Sequence, residues 1–131
     1  MSDLVPYVRH MLLCEDARAR SGEVKKVDVY GLMNAIRTEG ATFPVTHSFT
    51  VYLALTAGRH HGRFQIVVTT AEAGERIYES PQYPIQFATD PLRVYGVIIH
   101  VNTCTFPRSG LYWVELWYND KMLVHQPLEV S

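Results

Sequence analysis

Apolar and polar residues alternate along this chain with a period of two. The clearest stretch covers residues 47–56, where Phe49, Val51, Leu53 and Leu55 alternate with Thr50, Tyr52, Ala54 and Thr56. Successive side chains of an extended strand point to opposite faces, so this pattern predicts a half-buried β-strand. Nowhere do apolar positions hold a helical period between capping signals, and no helix is predicted. Further strands are predicted over residues 8–18, 26–37, 63–71, 75–79 and 92–103. In 26–37, Val27, Val29, Gly31 and Met33 share one face, and Tyr30, Leu32 and Ile36 the other. In 63–71, Phe64, Ile66 and Val68 point inward. Gly, Pro, Asn and Asp clusters separate these runs, with Ser21-Gly22 breaking the first. Residues 80–87 contain Pro81 and Pro84 and read as an irregular edge or crossover, because proline cannot donate to a central ladder.

The last third of the chain predicts a hairpin. Phe106-Pro107-Arg108-Ser109-Gly110 leads into Leu111-Tyr112-Trp113-Val114-Glu115-Leu116-Trp117-Tyr118, and Asn119-Asp120 forms the turn. Asn and Asp tolerate the left-handed conformation that a two-residue type I′ turn requires. With that turn, Tyr118 pairs with Lys121, Trp117 with Met122, Glu115 with Val124, Val114 with His125 and Trp113 with Gln126. Directly opposite residues share a face. One face then carries Tyr112, Val114, Leu116, Tyr118, Leu123 and His125, and is the better core candidate. The other carries Trp113, Glu115, Trp117, Met122, Val124 and Gln126. Pro107, Gly110 and Tyr112 are spaced as in the tyrosine corner of Greek-key sandwiches, where the hydroxyl bonds back to the backbone upstream. Pro127 marks the last strand as an edge or a bulge.

Two tryptophans on an outward face are too apolar for plain solvent exposure. Either residues 81–87 or the N-terminal arm cover them, or they are a contact surface for a partner. The simplest partner is a second copy in a two-fold homodimer; another protein is the alternative. A carbohydrate or small ligand stacking on Trp113 and Trp117 is a further reading, with Glu115, Gln126 and Asn119 as polar handles.

A length of 131 residues makes this a single domain that needs no metal or disulfide staple. The apolar fraction of 47% excludes a disordered chain. A net charge of −1 without a basic stripe argues against nucleic acid as a partner, and no polybasic patch suits a membrane surface. The N-terminal residues Met1-Ser2-Asp3-Leu4-Val5-Pro6-Tyr7 lack a basic and an apolar signal region, so a cytoplasmic location is expected. Cys14 and Cys104 then read as two buried thiols; a disulfide requires their strands to be close neighbours.

Little of the sequence suggests chemistry. His60-His61, between Arg59 and Arg63, is the one local cluster with metal potential and the basis for a metal-dependent hydrolase reading. A third ligand would have to come from His47, His100, His125 or an acid, and no spacing motif announces one. Glu15 and Asp16 fall on opposite faces of a strand and cannot act together as a dyad. There is no nucleophile elbow and no glycine-rich phosphate loop. No enzymatic activity, cofactor or resident metal is expected.

Three segments carry a resemblance: Met11-Leu12-Leu13-Cys14-Glu15-Asp16-Ala17-Arg18; Val29-Tyr30-Gly31-Leu32-Met33-Asn34-Ala35-Ile36-Arg37; and Phe106-Pro107-Arg108-Ser109-Gly110-Leu111-Tyr112-Trp113-Val114. Over nearly its whole length the chain resembles a family of small bacterial proteins of unknown function. The resemblance implies a bacterial intracellular protein and brings no catalytic residues. The expected architecture is an immunoglobulin-like antiparallel β-sandwich of about seven to nine strands. The expected contact residues are Trp113, Glu115, Trp117, Met122, Val124 and Gln126.

Overall fold

The alternating runs form two facing sheets in the computed structural model, which describes residues 5–20 and 26–131. The expected break at Ser21-Gly22 lies outside the described residues. Ten strands follow in chain order: β1 (Tyr7–Ala19), β2 (Val27–Leu32), β3 (Ala35–Ile36), β4 (Val45–Thr56), β5 (His61–Thr70), β6 (Arg76–Glu79), β7 (Tyr83–Gln86), β8 (Tyr95–Phe106), β9 (Gly110–Tyr118) and β10 (Lys121–Val130). The smaller sheet has the order β2-β1-β4-β8. The larger has the order β3-β10-β9-β5-β6, with β7 also on β5. All pairs are antiparallel except β3 with β10. The fold is an all-β sandwich, as the alternation predicts. No helix among the described residues is long and apolar enough to cross a membrane.

One apolar core fills the space between the sheets. Met11, Leu13, Phe49, Val51, Leu53, Leu55, Ile99 and Val101 come from the smaller sheet. Phe64, Ile66, Val68, Tyr112, Val114, Leu116, Tyr118, Leu128 and Val130 come from the larger. The strand predicted over 26–37 is instead two strands in different sheets. Gly31 takes φ +63, a conformation that costs glycine little, and the Met33 amide turns back to the Leu13 carbonyl. The chain then crosses so that Ile36 is buried beside β10. Residues 83–86 are a regular strand, but an edge one, as Pro84 demands.

The hairpin turn is as expected: Asn119 and Asp120 both have positive φ, 47° and 67°. Tyr118 faces Lys121 and Trp117 faces Met122. The register then slips at a β-bulge. Val124 pairs with Leu116, His125 with Glu115, Gln126 with Val114, Pro127 with Trp113 and Leu128 with Tyr112. Val124 and Gln126 therefore lie on the core-facing side of β10 and His125 lies outside, which corrects the expected faces. The reason is burial. An unbulged ladder would turn Leu128 and Val130 to solvent and drive Glu129 inward; the bulge leaves Leu128 0% and Val130 1% exposed.

The tyrosine corner is present. The buried Tyr112 hydroxyl donates to the Arg108 carbonyl at 2.5 Å, and the Tyr112 ring meets Phe106 edge-on at 5.0 Å. Cys14 and Cys104 are both buried free thiols. They belong to β1 and β8, which flank β4 from opposite sides. Burial pushes the Cys104 thiol up to about 12, and burial first, then the nearby Asp16 charge, raises Cys14 as well.

Candidate functional site

Three neighbouring strands of the larger sheet build its outer face. β9 contributes Trp113, Glu115 and Trp117 at alternate positions. Opposite them on β10 stand Pro127, His125 and Met122. Opposite them on β5 stand Thr69, Val67 and Gln65. The turn and the bulge thus decide which residues of β10 join the tryptophans. Of the six expected contact residues, the structure brings together Trp113, Glu115, Trp117 and Met122. Val124 and Gln126 belong to the opposite side of the sheet, and His125 takes the place assigned to Val124.

Glu115 is the hub of this face. One carboxylate oxygen, Oε1, accepts the Trp117 indole N–H at 2.9 Å, and the other, Oε2, accepts the Thr69 hydroxyl at 3.1 Å. Hydrogen bonds to a charged group are the stronger kind, so the carboxylate fixes both neighbours. The Arg76 guanidinium, from β6, lies 4.8 Å from the centre of the Trp117 ring, a cation–π contact. Arg76 is itself held by an ion pair with Glu79. The Trp113 ring stacks on His125 with centroids 4.1 Å apart. Beneath them Val67 is 0% exposed, although it lies on the outer side, opposite Glu115. The outer face is therefore a second, shallow layer of packing.

What this layer leaves open is the rest of the two half-buried indoles and Met122, which is 40% exposed. Residues 81–87 do not lie across them. Their strand β7 pairs in plane with residues 61–64 of β5, and Phe87 is buried in the core. Sequence reasoning missed Thr69, Val67, Arg76 and His125. The first two were visible as alternate residues of one strand, but only the strand order places β5 beside β9.

The other candidate cluster is more open. His60, with φ +60, sits in the turn before β5, and His61 opens β5 opposite Gln86. Arg59, His60, Gln86, Phe87 and Pro91 line a cleft of 430 Å³. Among the described residues no three His, Cys, Asp or Glu side chains are grouped to hold a metal ion. On the outer side of the smaller sheet, His100 Nδ1 lies 3.1 Å from the Thr50 hydroxyl, and the buried Cys14 thiol donates to the Thr50 carbonyl. Cys14 is 0% exposed and its thiol is shifted toward the protonated form, so this trio offers no accessible nucleophile.

Comparison with known proteins places residues 9–131 in the match of one family model, whose description is Family of unknown function (DUF6941). No curated protein matches the chain.

Proposed function

The chain belongs to this family of unknown function, and we propose that it works there without chemistry of its own, as a cytoplasmic protein-interaction module. Its contact surface is the outer face of the larger sheet, centred on Trp113, Trp117 and Met122. The observation that carries this reading is the locking of both indoles before any partner arrives: Trp117 by Glu115 and Arg76, Trp113 by His125. Rigid aromatic and arginine side chains lose little freedom on binding and dominate the energetics of protein interfaces. The partner is another protein or a second copy of this chain.

Carbohydrate stacking is the weaker alternative. A sugar needs free indole faces and free polar groups, yet His125 and Arg76 each take one indole face. Both Glu115 oxygens are already engaged. A metal-dependent hydrolase on His60 and His61 has no third described ligand to support it.

Trp117→Glu tests the reading, with Met122→Lys as a milder variant at a more exposed position. Each is to be checked for fold by circular dichroism and for association by light scattering and by cross-linking in extracts of the source cell. Folded variants that lose association support the reading. If Trp117→Glu and Met122→Lys both unfold the protein, the face is core and the reading fails. A fluorescence change on titration with an oligosaccharide panel would favour the carbohydrate alternative instead.

A further inference from the structure

We infer that two copies of this chain join edge to edge through β8, with residues 95–101 of each pairing antiparallel about a two-fold axis to merge the two four-stranded sheets. This contact is separate from the tryptophan face and does not rest on it.

β8 is an edge strand: it pairs with β4 on one side, and no described strand pairs its other side. Its first part, Tyr95-Gly96-Val97-Ile98-Ile99-His100-Val101, runs in unbroken register against residues 49–55. An unbroken edge presents a row of unpaired N–H and C=O groups, a ready template for another strand. Stable monomers blunt such edges with charge, proline, shortness or a kink. Every other edge among the described strands is blunted. β2 carries Asp28, gripped by Arg20, and reaches a left-handed Gly31. β3 has two residues and pairs only with Glu129 and Val130; the rest of that β10 edge carries Lys121, the bulge after Met122 and Pro127. β6 begins at Arg76 and ends at Glu79, and β7 contains Pro84. Residues 95–101 contain no Lys, Arg, Asp, Glu or Pro. An uncharged, β-branched heptamer without proline is the composition that pairs with its own kind.

Geometry limits the contact to a pair. Past Val101 the register slips opposite Ser48, and Thr103 takes φ 57, so the regular edge ends there. At the far edge β2 is blunted, and residues 7–13 of β1, which β2 leaves unpaired, carry Arg9 and a bulge between Val8 and His10. The merged sheet thus has no second smooth edge from which to grow. An antiparallel pairing of one segment with itself is isologous and closes as a dimer. Ile98 is also continuous with Tyr52 and Leu12, its direct neighbours on β4 and β1, in a half-buried apolar row on the outer side of the sheet. With the axis at Ile98, this row continues into the second copy, and each His100 lies opposite the other copy's Gly96.

The test is light scattering after size exclusion on the full chain and on Ile98→Lys, which sets two like charges against each other at the axis. The wild type should run at twice the 15.0 kDa chain mass. The variant should keep its fold and dissociate at least about tenfold more readily. A wild type that stays monomeric up to about millimolar concentration, near the weakest association worth calling specific, overturns the inference. So does a dimer that survives in folded Ile98→Lys, or one abolished only by Trp117→Glu, which would put self-association on the tryptophan face. Should Ile98→Lys fail to fold, amide exchange on the wild type decides. Protection of residues 95–101 that rises with protein concentration supports pairing, and protection independent of concentration refutes it.

Discussion

The Trp113 indole lies flat on the His125 imidazole, their planes 17° from parallel and their centroids 4.1 Å apart. The contact exists because the bulge of β10 turns His125 outward, opposite Glu115 and beside Trp113. His125→Ala should uncover one face of Trp113. Stacked ring pairs contribute about 0.5–1.5 kcal/mol beyond their burial, so a loss of that order is expected in urea unfolding. Trp113 and Trp117 are the two tryptophans of the chain. Intrinsic fluorescence therefore reports on this face, and the variant should show red-shifted emission and stronger acrylamide quenching. An unchanged spectrum would mean that the stack does not persist in solution.

Glu115 holds two neighbours at once, so its loss should exceed that of an ordinary surface acid. Glu115→Ala strips the partner from the Trp117 N–H and the Thr69 hydroxyl. A destabilisation of about 1.5–3 kcal/mol is expected for hydrogen bonds to a charged group. Glu115→Gln keeps one carbonyl acceptor and should cost less. Chemical denaturation of both variants checks the order; equal costs would show that one of the two bonds contributes nothing.

Tyr112→Phe removes the hydroxyl that ties the entrance of β9 to the Arg108 carbonyl while leaving the ring against Phe106. The expected cost is about 1 kcal/mol, the net contribution of a neutral hydrogen bond. The fold should otherwise be retained. Thermal unfolding by circular dichroism measures it, and a variant as stable as the wild type would deny the corner a role in stability.

Neither cysteine should react in the folded protein. Both thiols are 0% exposed, and burial raises both, Cys104 to about 12. At pH 8 the folded chain should take up no iodoacetamide on the timescale of minutes. In guanidinium both thiols, back near the ordinary value, should be modified. Rapid labelling of one cysteine in the native protein would reveal local opening of β1 or β8.

Much of the fold was legible in the residues. The alternation in β4 and β5, the Asn119-Asp120 turn and the Pro107–Tyr112 corner each follow from local sterics or from a two-residue period, and each stands in the structure. The break in 26–37 was less legible, because Gly31 in a strand signals a kink without saying that the next strand joins the other sheet. The candidate site was half legible. Trp113, Glu115, Trp117 and Met122 were placed together because the pairing near a turn is fixed by the turn. Val124 and Gln126 were misplaced because the bulge is dictated by Leu128 and Val130, several residues further on. Arg76 and Thr69 could not be placed at all, since nothing local says that β5 lies beside β9.

The parallel pairing of β3 with β10 has a consequence for how the protein is made. The Thr38 amide and hydroxyl both donate to the Ser131 carbonyl, 93 positions along the chain, and the Ser131 amide returns to Ile36. β10 also delivers Leu128 and Val130 to the core. On the ribosome, the apolar sides of β1 and β4 emerge long before β9 and β10 exist to cover them. Assembly of the sandwich thus waits for synthesis to reach residue 130, and a nascent chain stalled earlier is left with sticky strands and no lid. Folding of such a chain is expected to be slow, as the distance between its paired strands requires.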